Sequence, residues 1–250
     1  MRKYNITRKI IVNIKANLNT YNLFHLGSDE LKRFHGDVIL NLTIDKIFNF
    51  FGVASFIETG THLGATSLNI ARDYPEIPIY TCEINKDSYN IAKEAVKKHK
   101  NVHIKNLSSE KFLERLLKNG TKLKLPLIFL DAHWYDFLPI LYETDLIFSK
   151  LNKVIILIHD FEVPNNPEYV YNIHIDKNNR QIACNLSLIK NKFDNKKEYN
   201  ILFPKYNLEK SKASSLVGYI FIFQNLNEIF NKFKNNKFIQ ENYSLYEIDL

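Results

Sequence analysis

From position 53 onward, short apolar runs alternate with longer segments in which apolar residues recur every three or four positions. The runs are Val53–Ile57, Ile77–Cys82, Val102–Ile104, Leu127–Leu130 and Val154–Ile158. Between them lie Ala65–Asp73, Lys86–Lys98, Ser109–Leu117 and Leu138–Leu151, each long enough for a helix. Continuous apolar runs are strands buried on both faces, which need helices on both sides. The alternation therefore predicts an α/β fold with a doubly wound, mostly parallel sheet. Two later runs, Tyr199–Phe203 and Leu216–Phe223, are joined by a stretch without helical pattern and are predicted to pair antiparallel, making a seven-stranded sheet.

Upstream, helices are predicted over Asn5–Leu23 and over Ser28–Phe51 in one or two pieces, with Leu40, Ile44, Ile47 and Phe51 on one buried face. Residues 226–239 predict one last amphipathic helix. The chain thus divides into an N-terminal helical extension or lid (1–52), an α/β domain (53–225) with a polar insert at about 163–198, and a C-terminal helix and tail (226–250). The last helix is the candidate subunit contact of a homo-oligomer.

Composition narrows the class. Hydrophobic residues at 45% and charged residues at 24% of 250 exclude a disordered or fibrous chain. Two cysteines, Cys82 and Cys184, cannot build a disulfide framework. The first residues never give way to a signal-peptide core, and Val154–Ile158 is far short of the roughly 20 apolar residues that span a bilayer. A soluble cytoplasmic protein without a membrane partner is expected. The net charge of +7 is uneven: residues 1–52 carry 8 basic and 4 acidic groups, whereas 53–161 carry 14 and 13. A near-neutral centre without a basic, aromatic stripe argues against nucleic acid as partner.

In an open α/β sheet, ligands sit outside the carboxyl ends of the strands. The residues predicted there are polar: Glu58, Glu83, Asn106 to Ser109, Asp131 to Trp134, and His159 with Asp160. After the first run comes Glu58-Thr-Gly60-Thr61-His62-Leu-Gly64-Ala-Thr66, in which glycines permit a tight turn and close approach of a ligand to a helix start. Glu83, about one strand–helix–strand unit later, is where a carboxylate accepts hydrogen bonds from both ribose hydroxyls. The dinucleotide fingerprint G-x-G-x-x-G is absent, since only Gly60 and Gly64 are present.

Glu58-x-Gly60-x-x-x-Gly64, then Cys82-Glu83-Ile84-Asn85, then Asn106-Leu-Ser108-Ser109 resembles the class I S-adenosylmethionine-dependent methyltransferases over about residues 53–223. Phe129-Leu-Asp131-Ala-His133-Trp134 and His159-Asp160-Phe161 are similar to the catechol and caffeoyl-CoA type of small-molecule O-methyltransferase, and to methyltransferases of bacterial capsule and surface sugars. The resemblance implies a Rossmann-like methyltransferase fold with S-adenosylmethionine as cofactor. It implies that Gly60 and Gly64 line the methionine portion, with Thr66 on its carboxylate, that Glu58 and Thr61 are cofactor-binding, and that His62, also cofactor-binding, faces the methionine end or the substrate. Glu83 would then hold the ribose, Ile84 the adenine face, and Ser108 and Ser109 the adenine edge, while Asp131 lies near the sulfonium.

Two departures stand out. The metal-dependent branch holds a hard divalent cation such as Mg²⁺ on two aspartates and an asparagine; Asp131 and Asp160 match the aspartates, and Phe161 stands in place of the asparagine. A nearby His133 or His159 would favour a transition metal instead. The branch's catalytic lysine is also absent, so the base that removes the acceptor proton is expected to be His133, with His159 second. The expected function is O-methylation of a small polar acceptor, a sugar or nucleotide-linked sugar. The alternatives are a non-catalytic cofactor-binding module or a nucleic-acid methyltransferase.

Overall fold

The computed structural model describes residues 32–118, 123–132, 138–176 and 178–248. The helix expected over Asn5–Leu23, and the expected helix start at Ser28, lie outside these residues. A single 3-10 turn, Arg33–Gly36, leads into α1 (Val38–Phe51). Asp37 caps α1 by accepting the Leu40 N–H at 2.9 Å, satisfying an amide that the helix itself leaves free. Leu40, Ile44, Ile47 and Phe51 are all buried, as their spacing requires.

The alternating region folds as β1 (Ser55–Thr59), α2 (Ala65–Asp73), β2 (Ile79–Cys82), α3 (Lys86–Val96), β3 (Val102–Lys105), α4 (Ser109–Lys118), β4 (Pro126–Leu130), α5 (Ile140–Lys150) and β5 (Val154–His159). The pairings β1–β2, β2–β3, β1–β4 and β4–β5 are all parallel. From β1 the chain steps outward through β2 to β3, then returns to β4 and β5 on the other side of β1. Right-handed crossovers therefore place α2 and α3 on one face and α4 and α5 on the other. The direction reverses between β1 and β4, and the crevice above that pair is where an open sheet binds ligands.

Beyond β5 the polar insert forms a two-stranded hairpin, β6 (Ile173–Ile175) with β7 (Gln181–Ala183), and a short helix α6 (Leu186–Ile189). Strand β8 (Tyr199–Pro204), a single helical turn α7 (Leu208–Ser211), and β9 (Tyr219–Gln224) follow, and β9 lies antiparallel to both β5 and β8. Two expectations need correction. Residues 226–239 are not one helix but two, α8 (Asn227–Phe233) and α9 (Lys237–Asn242), because Asn236 starts a new helix by accepting the Phe238 N–H at 3.0 Å. The sheet has eight strands rather than seven: β10 (Tyr243–Tyr246) adds antiparallel to β8, giving the order β10-β8-β9-β5-β4-β1-β2-β3. Among the described residues no helix is long and apolar enough to cross a membrane.

A buried chain of hydroxyls ties the start of α1 to this antiparallel edge. Tyr206 donates to Asp37 at 2.7 Å and pairs with Tyr219 at 2.7 Å; Tyr219 pairs with Tyr243 at 2.7 Å, and Tyr243 with Thr43 at 2.6 Å. Unpaired, each of these polar groups would carry a desolvation cost in the core; linked, they specify how α1 sits on the sheet.

Candidate active site

The turn after β1 is set by Gly60, whose φ of +85° favours glycine. A side chain there would run into the Asp131 carbonyl, so the backbones of the first and fourth strand ends touch at the point where the sheet reverses. The Asp131 N–H donates to the Thr59 carbonyl at 3.1 Å, and the N–H groups of Gly60 and Thr61 donate to the Cys82 carbonyl. These bonds hold three strand ends in register around one small basin. Gly64, also with positive φ, caps α2 and brings its backbone against Ala92.

Glu58 is fully enclosed beneath this turn. Its Oε2 accepts from Ser67 at 2.5 Å and from Thr81 at 2.8 Å, and burial pushes its carboxyl up to about 7. Thr61 pairs with the Thr81 hydroxyl, so both threonines belong to the same supporting cluster. Glu58 and Thr61 thus shape the turn from below. His62 is exposed, with φ of +49°, and its N–H points to Glu83.

Glu83 sits at the end of β2 with its Oε2 accepting from the His62 N–H at 2.8 Å and its Oε1 from the Asn85 N–H at 2.7 Å. Each carboxylate oxygen has a second lone pair left for a ligand hydroxyl. Ile84 beside it is 71% exposed, the highest exposure of any large apolar side chain among the described residues. Asn106 fixes this corner from β3, donating to the carbonyls of Glu83 at 2.7 Å and Ile84 at 3.1 Å. Ser108 and Ser109 open α4 next to it; Ser109 is buried, and the Ser108 carbonyl accepts from Phe112. The Thr66 hydroxyl accepts the Phe34 N–H at 3.4 Å, which places the N-terminal turn against the start of α2.

On the far side of the basin, Asp131 faces two histidines. Its Oδ1 is 3.3 Å from Nδ1 of His159, and its Oδ2 is 3.8 Å from Nε2 of His35. The rings of His35 and His159 lie nearly parallel, 5.1 Å apart. Burial opposes charge on Asp131, but His159 and His35 outweigh it and hold the carboxyl well below the usual carboxylate range. Burial likewise opposes charge on His159, but Asp131, helped by Asp160 and Asp37, pushes the imidazole up to about 9. Asp160, at φ of +53°, brings its Oδ1 to 3.7 Å from the same His159 nitrogen.

Among the candidate residues named from sequence, the structure gathers Glu58, Thr61, His62, Gly64 and Glu83 around the ends of β1 and β2 at one end of the crevice and Asp131, His159 and Asp160 around the ends of β4 and β5, with Gly60 against the Asp131 carbonyl between them. His133 lies outside the described residues. The oxygen-only cation site does not fit this chain: Phe161 is fully buried and stacks toward Phe203, offering no ligand beside Asp160, while the neighbours of Asp131 are imidazoles. Tyr169, in the insert after β5, belongs to the core, buried with its hydroxyl donating to the Tyr206 carbonyl at 2.5 Å.

The sequence pattern missed His35. It rides on a turn in which Phe34 and His35 are both left-handed, at φ of 48° and 53°, an arrangement no periodicity announces. What holds it is legible afterwards. Phe34 is buried edge-on against Phe129, and Arg33 pairs with Asp45 at 3.1 Å and Asp73 at 3.3 Å. The Phe-His-Gly36 sequence before the Asp37 cap was the one available signal.

Comparison with known proteins agrees with this fold. Residues 39–160 match the model of a family described as O-methyltransferase. Among solved structures, an O-methyltransferase, so named provisionally, from Klebsiella pneumoniae superposes with a TM-score of 0.52 at 13% identity, covering 86% of this chain and 94% of its own. A provisionally named caffeoyl-CoA O-methyltransferase from Staphylococcus aureus gives 0.51 at 15% identity, covering 88% and 99%. At such identities these two show a shared fold. No curated protein matches the chain.

Proposed function

We infer that this chain, a class I methyltransferase carrying the O-methyltransferase family pattern in residues 39–160, moves the methyl group of S-adenosylmethionine to an oxygen of a small polar acceptor. The observation that carries the reading is the corner at Glu83 and Ile84. A carboxylate tied by two backbone amides, with lone pairs to spare, stands beside an exposed apolar side chain at the carboxyl end of β2. A ribose diol on Glu83 and an adenine on Ile84 satisfy both at once. The methionine end then runs over the Gly60 turn toward Asp131, and the exposed His62 borders it. Ser108 and Ser109 meet the adenine edge. Thr66, already accepting from Phe34, can still donate its hydroxyl proton to the methionine carboxylate.

The transfer is an in-line displacement, with acceptor oxygen, methyl carbon and sulfonium sulfur aligned. Its rate comes from positioning and from exclusion of water in the closed crevice. The N-terminal segment acts as a lid over the acceptor together with the insert, and Asp131 faces the developing positive charge of the departing proton. His133 takes that proton. His159, enclosed and paired with Asp131, fixes the Asp131 carboxylate in place. A cation on Asp131 and Asp160 lacks the third oxygen ligand, so no step here runs through Mg²⁺.

The acceptor is a sugar or nucleotide-linked sugar of a surface polysaccharide. The near-neutral charge of residues 53–161 supports a small acceptor over a nucleic acid, which asks for a basic face. Methyl-labelled S-adenosylmethionine is incubated with the protein and, separately, with sugar nucleotides, RNA and DNA. Label should move to a sugar hydroxyl. Label appearing on nucleic acid, or tight nucleoside binding without transfer to any acceptor, would replace this reading.

A further inference from the structure

Imidazole nitrogen and carboxylate oxygen are the donor set of borderline transition ions, and the far side of the crevice presents two imidazoles and one carboxylate from three separate elements. His35 comes from the 3-10 turn, Asp131 from the end of β4 and His159 from the end of β5. One ligand atom from each lies within 4.8 Å of the others. We propose that His35, Asp131 and His159 form a binding site for a first-row transition dication, of the zinc class, that discriminates against Mg²⁺.

Distances favour it. With bonds of about 2.0–2.1 Å, two ligands of a tetrahedral ion stand about 3.3 Å apart. The separation of His159 Nδ1 from Asp131 Oδ1 is already 3.3 Å, and His35 Nε2 stands 3.8 Å from the other carboxylate oxygen, Oδ2, so His35 must move inward to share one oxygen with His159. His35 can make that movement, because its side chain is 40% exposed whereas those of His159 and Asp131 are 5% and 12% exposed. The two buried ligands form a fixed base and the rim ligand closes over the ion. Three protein ligands leave a position open toward the crevice, as sites that take a substrate oxygen do.

Ring placement and backbone point the same way. The two rings lie nearly parallel, 5.1 Å apart, on the same side of the Asp131 carboxylate, which leaves the space between the three groups open to an ion. Phe34 and His35 are held in succession at positive φ, a backbone conformation that non-glycine residues rarely adopt, and it sets His35 beside Asp131. Mg²⁺ is disfavoured because it demands oxygen ligands, and the position after Asp160 is the buried Phe161.

The site goes beyond the methyl-transfer reading and does not rest on it, so it is tested on the chain without nucleoside. Tag-free, chelator-treated protein is titrated with Co²⁺, read by its visible absorption and by calorimetry, with Zn²⁺ and millimolar Mg²⁺ as competitors. One Co²⁺ should bind per chain, be displaced by Zn²⁺ and ignore Mg²⁺. Removing a direct ligand should cost more than the 10–100-fold typical of supporting residues, so His35→Ala should weaken binding at least about 100-fold. Because His35 lies on the rim, its variant should keep the native melting temperature, and His103→Ala, on the distant β3, should bind as the native chain does. Failure to bind Co²⁺, an unaffected His35→Ala, or equal competition by Mg²⁺ would each overturn the proposal. S-adenosylhomocysteine affinity, measured on the same samples, reports separately on the methyl-transfer reading.

Discussion

The carboxylate of Glu83 accepts the backbone N–H of His62 at 2.8 Å, so the end of β2 and the turn after β1 are held as one unit. A ligand that pulls on Glu83 is felt in the glycine turn, so this end of the crevice is pre-organised as one piece.

Replacing Glu83 by Gln keeps one acceptor oxygen for the backbone but removes the charge. Hydrogen bonds to a charged group are worth about 1.5–3 kcal/mol, so affinity for S-adenosylhomocysteine should drop roughly 10–100-fold. Calorimetry reads this directly, and circular dichroism should stay native. Undiminished affinity would strip Glu83 of its role.

At Gly60, alanine would meet the Asp131 carbonyl and would have to adopt φ of +85°. We expect a destabilisation of about 2–3 kcal/mol, visible as a lower urea midpoint, together with weakened nucleoside binding. An unshifted midpoint would mean that the two strand ends are free to separate.

Glu143, on α5, is fully buried, and burial pushes its carboxyl up from 4.5 to about 7, only partly offset by the hydroxyls of Ser109 and Thr59. The native state therefore holds this proton more tightly than the unfolded chain does. Its contribution to stability is fully present below pH 4.5 and is lost as pH rises through about 7. At about 1.4 kcal/mol per pH unit the gap corresponds to about 3 kcal/mol. Glu143→Gln should accordingly raise the melting temperature relative to native protein at pH 8 and change it little at pH 4.5. Equal effects at both pH values would contradict the assignment.

Tyr219 is the middle link of the hydroxyl chain from Asp37 to Thr43. Tyr219→Phe keeps the ring and removes the link, leaving the Tyr206 and Tyr243 hydroxyls each one partner short. A loss of about 1–3 kcal/mol is expected in denaturant unfolding, with S-adenosylhomocysteine affinity unchanged. Loss of affinity with no loss of stability would move Tyr219 from scaffold to site.

How much of this was legible beforehand depends on the range of the interactions. Helix α2 was readable to the residue because its limits are local: Gly64 caps its start and the apolar pattern fades after Asp73. Strands β1, β4 and β5, and β2 nearly so, were readable because fully buried strands lie in apolar runs, whereas the half-exposed edge strand β3 was readable from its place in the strand–helix alternation. Strand β10 was not, since only Tyr243 of its four residues is buried and an edge strand needs no apolar pattern. Glu58, Gly60 and Glu83 were found by their places at strand ends. Their mutual bonds, such as Ser67 and Thr81 converging on Glu58, were not, because they join residues 9 and 23 positions away. His35 was invisible for the same reason, since its partners Asp131 and His159 lie on strands folded much later in the chain.

The most direct test of the account is a crystal structure of the protein grown with S-adenosylhomocysteine. We predict both ribose hydroxyls on the Glu83 carboxylate, the adenine flat against Ile84, and the sulfur facing Asp131 across the Gly60 turn. An empty crevice at saturating nucleoside, or the nucleoside bound elsewhere with Glu83 untouched, would contradict it.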